Sequence, residues 1–469
     1  MSIVTPGILP ASVLLQQRRP DWLAEWGRFA AGFSSTDLPP EALHRARLVL
    51  LDSIGVIAAG MQEPELLSLL AQPNYAGGGA AVAIGAGRAL PPLLAAFANG
   101  TAGTMLELDE GNQYARGHPA IHVVPAALAA APRDGAALLG AIALGYELGA
   151  RIGIASKLRV TMHPHGTWGT PAAFLSVAHL RGAQAETIIQ GVNIASSFGL
   201  STSRRTMLEG ATVRNSYAGF SNQLGLMTWD LVQSGFTGET DGIGAVYGGI
   251  IAEDFSQPAM TEELGMRWEI ARNYFKRHAA CRYTHGALDA LAELRERLPQ
   301  LAPEQIERIE VDTYVWAAQL DLPAPSNMLS AKFSIPFALA TTLLHGSASV
   351  PAFRPPALRD EAVRALAARV VVREDAALTA RLPGLRPARV ALILRDGTRH
   401  QAEVLTNRGD TEDPYTEDDI LQKFRELAEP VWGTAHATAL IQAVQGVDRT
   451  GGLDALTPLL AAPPRSPAR

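Results

Sequence analysis

Over residues 21–255 the apolar positions follow a helical rhythm, broken by Gly and Pro and not by strand-like alternation. The run 41–60 starts after Pro39-Pro40 and closes on Gly60, the usual asymmetry of helix ends. It is apolar nearly all round, which predicts full burial. Further helices are predicted over 91–106, 125–130, 135–156, 171–180, 185–198 and 222–233. They are rich in Ala, and small side chains let helices approach closely. The Gly-rich segment 76–87 reads as a loop or short strand.

The pattern changes after about Trp268. In 306–315, Ile309, Val311, Thr313 and Val315 alternate with Glu310, Asp312 and Tyr314, a half-buried strand. Residues 370–372 are β-branched, and 387–404 reads as a hairpin with Asp396-Gly397 as a two-residue turn. Helices are predicted between these strands at 286–297, 334–345 and 360–367. Together they make an α+β unit of about 130 residues, an ordinary domain size. Helix then returns. Thr416 is an N-cap with Asp419 three residues on, opening 417–429, and 434–445 follows. The acidic run 410–419 is expected to be a solvated loop and helix start, and the tail 463–469 to fray. No repeat of 20–50 residues is visible. The predicted fold class is therefore mainly α. A large all-helical domain is formed by both chain ends (1–268 and 408–469), and an α+β lid domain (269–407) is inserted between them. A cleft between two such parts is a common place for a small-molecule site.

The chain has 469 residues, enough for two or three domains, and a net charge of −6 with no basic run. That speaks against nucleic acid and against an anionic membrane surface. The one cysteine, Cys281, allows neither an internal disulfide nor a zinc ribbon. The opening MSIVTPGILP lacks a signal-peptide pattern, and apolar runs such as 120–131 are expected to be too short to span a bilayer. A cytoplasmic address is expected. The Asn99-Gly100-Thr101 sequon has no meaning in a chain that is not secreted.

Three histidine-bearing segments stand apart from the helical runs: 107–125, 161–170 and 274–285. A helical scaffold has little need of such clusters, whereas an active site assembled from loops does. His118, His163 and His285 are candidate general acids or bases. Glu107 and Asp109 are placed to orient them. Lys276, Arg277, Arg282 and Arg214 supply cations suited to carboxylates. Asn112, His165 and Cys281 complete the set of candidate substrate contacts. These residue types suit proton removal or delivery next to a carboxylate, where an enolate needs fixed positive charge and a nearby base.

Plainer roles compete at several positions. Glu107 and Asp109 could be solvated loop acids, and His122 a structural residue. Cys281 reads as a packing residue before a nucleophile. His285 and Asp289, four apart, could be an orienting pair or a helix-surface contact. His118/His122 and His163/His165 have ligand-like spacings. However, Pro119 and Pro164 interrupt them and no HExxH pattern occurs, so no metal is expected. There is no phosphate-binding loop, no dinucleotide fingerprint and no Gly-x-Ser-x-Gly elbow.

At these same residues the chain resembles the MmgE/PrpD family, which includes 2-methylcitrate dehydratase, cis-aconitate decarboxylase and iminodisuccinate epimerase. The likeness runs through LLDSIGVIAAG (50–60), AAFANGTAGTMLELDEG (95–111), GHPAIHVVPAAL (117–128), HPHGTWGTPAA (163–173), 210–219, GFTG (235–238), CRYTH (281–285) and AKFSIPFALA (331–340). The resemblance implies a helical domain with an α+β lid, a homodimer, and catalysis without metal or organic cofactor. It places the family's acidic motif on 105–110, with its first acid at Glu107 and later ones at Asp109 and Glu110. The catalytic histidines fall on His118 and His163, a lysine position on Arg214, the lid lysine on Lys276 and the CCR-type segment on 280–282. Two departures stand out. Glu107 replaces Asp, with Gly111 in place of Thr. Arg214 replaces Lys, with Asn215-Ser216-Tyr217 in place of a basic-Leu-His run. An Arg is a poor proton donor but still binds carboxylate, which speaks against decarboxylation, and 106–126 is closer to the epimerase-like branch. The expected function is a cofactor-independent lyase or isomerase acting on a small polycarboxylate by dehydration, decarboxylation or epimerisation. The alternatives are a non-catalytic carboxylate-binding protein and a metal-dependent hydrolase.

Overall fold

The structure, a computed structural model, describes residues 18–465, so the opening MSIVTPGILP and the last residues of the tail, 466–469, lie outside the described residues. The fold is mainly α. The first part is a stack of helices: α1 (Asp21–Gly32), α2 (Pro40–Gly60), α3 (Pro92–Thr104), α4 (Gly135–Ala155), α5 (Gly169–Leu180), α6 (Ala185–Ser196) and α7 (Tyr217–Gln233). As its all-round apolar sequence predicts, α2 is buried along most of its length. The helix α4 corrects one expectation. At 21 residues it is long and apolar enough to cross a membrane, yet 89% of its most apolar window is buried among its neighbours, as a core helix. The close packing of α3 on α7 depends on glycine: a Cβ at Gly100 would lie 2.8 Å from the Ala218 carbonyl oxygen, and one at Gly219 2.5 Å from that of Phe97. This also explains why α7 starts at Tyr217 and not at 222. Ala218 and Gly219 break the apolar rhythm because they are the contact with α3.

The α+β elements follow. Helix α8 (Arg282–Arg297) packs on a four-stranded sheet of β1 (Ile306–Thr313), β2 (Val370–Glu374), β3 (Ala388–Leu394) and β4 (Arg399–Val404), and α9 (Ile335–His345) packs beside α8. The strand order is β4-β3-β1-β2. β1 runs antiparallel to β3 and parallel to β2. Ile309, Val311 and Thr313 face the core as the alternation predicts. Tyr314 and Val315 do not follow it, because β1 ends at Thr313. Tyr314 instead caps the next helical turn and is buried, with its ring 5.8 Å from that of Tyr283. The β3–β4 connection is also longer than predicted. Leu394 N–H donates to Thr398 O across a three-residue loop, with Gly397 at φ +86°, the left-handed position such loops give to glycine.

Helix α10 (Glu417–Trp432) then returns to the first part and packs on α2, followed by α11 (Thr434–Gln445) and α12 (Gly452–Leu460). The capping box at Thr416 and Asp419 is present. The start of the expected frayed tail is tied down, with Arg465 N–H donating to Val431 O. A two-residue ladder, Gly111–Asn112 against Asn273–Tyr274, joins the acidic loop to the start of the α+β elements.

Candidate active site

Where α3 ends, residues 105–110 form a loop whose backbone carbonyls are gripped by three buried lysines. Lys332, closing the short helix Met328–Lys332, donates to Met105 O at 2.7 Å. Lys276 donates to Glu107 O at 3.1 Å, and Lys423 on α10 donates to Leu108 O at 2.6 Å. These cations come from three separate parts of the chain. They hold Glu107 at φ +55°, a left-handed conformation that costs a non-glycine residue on the order of 1–3 kcal/mol and so needs support from its surroundings. The side chains are not solvated loop acids: Glu107 and Asp109 are buried. Glu107 pairs with Arg214, itself only 1% exposed, and Lys276 Nζ lies 3.7 Å from Glu107 Oε2 and 3.8 Å from Asp109 Oδ1. Two acids and two cations thus offset one another's desolvation. Burial pushes Asp109 up, but His118, Lys276 and Arg214 outweigh it and hold the carboxyl below its usual range.

The histidine environments assign their protons. His118 Nδ1 lies 2.7 Å from Glu110 O and 3.4 Å from Asp109 Oδ2. Both neighbours are acceptors, so Nδ1 carries the hydrogen and Nε2 of the neutral ring is a free lone pair. His163 is the reverse. The backbone N–H of His165 donates to His163 Nδ1 at 3.0 Å, so neutral His163 carries its hydrogen on Nε2. Burial, then Arg214, holds His163 well below the usual histidine range, and burial also lowers His118. His122 Nε2 and His165 Nδ1 lie 3.3 Å apart, and neither His122 Nδ1 nor His165 Nε2 has a partner within the protein. A buried orphan N–H is rarer than a buried bare lone pair. In this pair one orphan N–H remains whichever ring donates, on Nδ1 of His122 or on Nε2 of His165.

Glu107, His118, His163, His165, Arg214, Cys281 and Arg282 all line one cleft, and a recess on which several polar groups converge is the usual form of a small-molecule site. Arg282 is fixed by Asp410 (2.6 Å) and lies over the Tyr274 ring. Burial, then Glu107, pushes the Cys281 thiol up to about 11, so it stays protonated near neutral pH. Lys276 and Asp109 sit behind Glu107 and His118. Two candidates are corrected by their surroundings. Asn112 does not line the cleft. Its Oδ1 accepts from the backbone of Tyr114 and Ala115, and its Nδ2 donates to Glu269 O. His285 is also outside it, with Nδ1 accepting from Arg282 at 2.9 Å and Nε2 donating to Ala280 O, so it braces Arg282. Asp289 does not pair with His285. It accepts from Arg408 N–H and lies 3.7 Å from His278. Arg277 points away to Asp419 O and Glu426. Among the described residues, no group of three or more His, Cys, Asp and Glu side chains is disposed to hold a metal ion.

Two family models cover most of the chain: the MmgE/PrpD N-terminal domain over residues 24–258 and the MmgE/PrpD C-terminal domain over 278–449. The chain belongs to the MmgE/PrpD family. Similar proteins include the cis-aconitate decarboxylase-like protein oryM of Aspergillus oryzae, 25% identical over 93% of this chain and 97% of that one. The cis-aconitate decarboxylase of Aspergillus terreus is 25% identical over 94% and 96%. That of Mus musculus is 25% identical over 80% and 79%.

In this MmgE/PrpD protein the cleft also uses residues that sequence reasoning passed over: Arg116, Arg204, Arg386, Tyr274, Tyr283 and Phe333. Tyr283 and Phe333 stand inside the motifs CRYTH and AKFSIPFALA, and Arg116 and Tyr274 inside the histidine-bearing segments, but none is singled out there; no motif carries Arg204 or Arg386. Lys423 did leave a signal. It sits beside Ile420, Phe424 and Leu427 on the apolar stripe of α10, where a lysine needs a buried partner, and Asp52 supplies it at 2.5 Å.

Proposed function

We propose that this protein is a lyase or isomerase that removes and returns a proton at the carbon next to a carboxylate of a small di- or tricarboxylate. The opposite tautomers of His118 and His163 carry the reading. The bare Nε2 of His118 suits it to be the base that takes the proton. The electron pair left on carbon delocalises into the carboxylate as an enediolate. Its negative charge is met by the Arg214 guanidinium and by the Nε2–H of His163, which returns a proton as the general acid. Arg282 adds a second carboxylate-binding cation. Each of these groups is supplied by the chain, so the chemistry calls for no metal or organic cofactor.

The same enediolate leads to loss of a neighbouring hydroxide or to reprotonation on the opposite face. Loss of carbon dioxide from a β,γ-unsaturated carboxylate is an alternative way to form it, with the electron pair of the broken C–C bond taking the place of the one left by proton removal, and is completed by the same return of a proton. The relatives' names put cis-aconitate first among the substrates to offer. Arg214 at a position where proton donation would favour decarboxylation keeps elimination and epimerisation beside it. The segment 269–407, which supplies Lys276, Cys281, Arg282 and Arg386, acts in this reading as a lid. It closes on the histidines of 1–268 and 408–469 and excludes water. A homodimer is the expected assembly, and light scattering checks it.

Proton NMR in D₂O tests the reaction, with cis-aconitate, 2-methylcitrate, itaconate, iminodisuccinate and related succinates offered in turn. Loss of a signal next to a carboxylate, abolished by His118→Ala, is the expected result. New vinyl signals would mark elimination or decarboxylation. Binding without exchange across the panel would leave a carboxylate-binding protein instead of an enzyme.

A further inference from the structure

The cleft does not end at the histidines. A second recess opens from it: Arg116, Pro164, Arg204 and Tyr283 line both, and Arg159 and Trp316 carry the wall outward. The two parts differ in charge. In the inner part Glu107 offsets Arg214 and Asp410 offsets Arg282. Around the junction, Arg116, Arg204 and Arg386 gather about a pair of stacked rings, Tyr283 and Trp316, with centroids 6.2 Å apart. Arg204 and Arg386 lie 6.0 and 5.6 Å from the Tyr283 centroid, and Arg116 lies 5.8 Å from that of Trp316.

Among the described residues, none of these three guanidiniums has a carboxylate partner. Arg204 donates to the Gln319 amide and to Trp316 O, and Arg386 to Gln113 O. The Nε atoms of Arg116 and Arg386 are buried without any partner. Arg116 makes no side-chain hydrogen bond and is held at φ +56°, a backbone cost that no hydrogen bond of its own side chain offsets. The aromatic faces soften the desolvation of these cations but leave their N–H groups unsatisfied. Arg204 and Arg386 are buried, at 9% and 3% exposure. Uncompensated charges at that depth are costly unless an anion arrives.

We propose that the outer recess and its junction with the inner cleft form a second anion subsite, which receives a substrate arm bearing two carboxylates remote from the reacting carbon, with Arg116 and Arg204, which line both parts, and Arg386, on the inner side of the junction, as its specificity determinants. This rests on the reading of the inner cleft as a carboxylate site. The inner part takes the reacting end, and the planar guanidiniums take the distal carboxylates in bidentate fashion. Affinity then rises with the number of carboxylates on the ligand, and the rise is read by residues that the proton transfer does not use.

Calorimetry with succinate, tricarballylate and butane-1,2,3,4-tetracarboxylate tests it on the full chain. The expected order is tetracarboxylate tightest and succinate weakest. Arg116→Asn keeps a side chain that tolerates the left-handed backbone and removes no hydrogen bond on which folding depends. It is expected to weaken the tetracarboxylate about tenfold, the scale of one charge-assisted hydrogen bond, and to leave succinate unchanged. Arg386→Met, on the inner side of the junction, is expected to weaken the tetracarboxylate more than it weakens succinate. Equal binding of all three acids, or an Arg116→Asn protein that binds the tetracarboxylate as tightly as the parent, overturns the subsite while the inner-cleft reading stands on succinate binding. If none of the acids binds and no substrate exchanges in D₂O, the inner-cleft reading falls and takes the subsite with it.

Discussion

The backbone N–H of His165 donates to Nδ1 of His163 at 3.0 Å, and this one bond decides which ring nitrogen of His163 can give a proton. It makes the two principal histidines unequal. Replacing His118 removes the proposed base, and His118→Ala should lose both turnover and exchange of the substrate's carbon-bound hydrogen. Replacing His163 by Gln keeps an N–H donor near the Nε2 position but not a transferable proton. It should lower kcat by about 10²-fold or more, the usual scale for general acid–base catalysis, with KM changed far less. Steady-state kinetics beside exchange in D₂O separates the two. Equal loss of exchange in both variants would mean that the tautomers do not divide the roles.

The Glu107–Arg214 pair is buried on both sides. Glu107→Gln strands the charge of Arg214 and removes one acid from Lys276. Breaking a buried pair from one side typically costs about 3–5 kcal/mol. Urea unfolding should show a loss of that order for Glu107→Gln. Much of it should return in the double variant Glu107→Gln/Arg214→Met, where no charge is left alone. A double variant no more stable than the single one would show that Arg214 is not the group left unsatisfied.

Much of this architecture is legible in the sequence, because helices such as α2 and α10 are written in local periodicity and in end signals such as Thr416 with Asp419. The alternation of Ile309, Val311 and Thr313 likewise shows β1. What is not legible is long-range. Tyr314 reads as outward-facing because the alternation does not show that the strand ends at Thr313, where the chain turns into the next helix and brings this ring against Tyr283. In the candidate site, Glu107, His118, His163 and Arg214 stand out by their clustering in loops. Arg116, Arg204 and Arg386 do not, since nothing local tells a guanidinium on a cleft wall from one in solvent. Asn112 and His285 were legible as polar residues in the right segments. Their partners, the backbones of Tyr114 and Ala115 and the Arg282 side chain, show them to be braces.

The lysines that hold the acidic loop should be separable by their partners. Lys423→Met leaves Asp52 buried without its cation, and a stability loss of about 3–5 kcal/mol is expected. Lys332→Met strands only the Met105 carbonyl, on the order of 1–3 kcal/mol, and removes an ammonium that burial already holds down at about 8. Its stability should fall less than that of Lys423→Met. Turnover should still drop, because the loop that presents Glu107 loses one of its three anchors. Thermal unfolding and kcat measured on the same preparations check both. A Lys332→Met protein with full activity would make that lysine a packing residue.

Glu110 is the group whose titration should be felt by the whole fold. Its side chain accepts from Ala120 N–H, from the Tyr146 hydroxyl and from Asn273, yet burial outweighs these bonds and pushes the carboxyl up to about 8. The folded protein therefore holds a proton at pH values where the unfolded chain, near 4.5, has released it. A group raised in this way contributes stability that is fully present below about 4.5 and is lost as pH rises through about 8, at up to about 1.4 kcal/mol per pH unit within that window. Glu110→Gln supplies a permanently neutral carboxamide of the same shape. Its stability relative to the parent should therefore improve steadily from pH 5 to pH 8, as read from urea midpoints across the range. Glu147, pushed up to about 7 by its own burial, contributes equally to both proteins and cancels in the difference. A difference that stays flat with pH would mean that Glu110 is ionised in the folded protein, with its charge met by neighbours other than the three bonds named here.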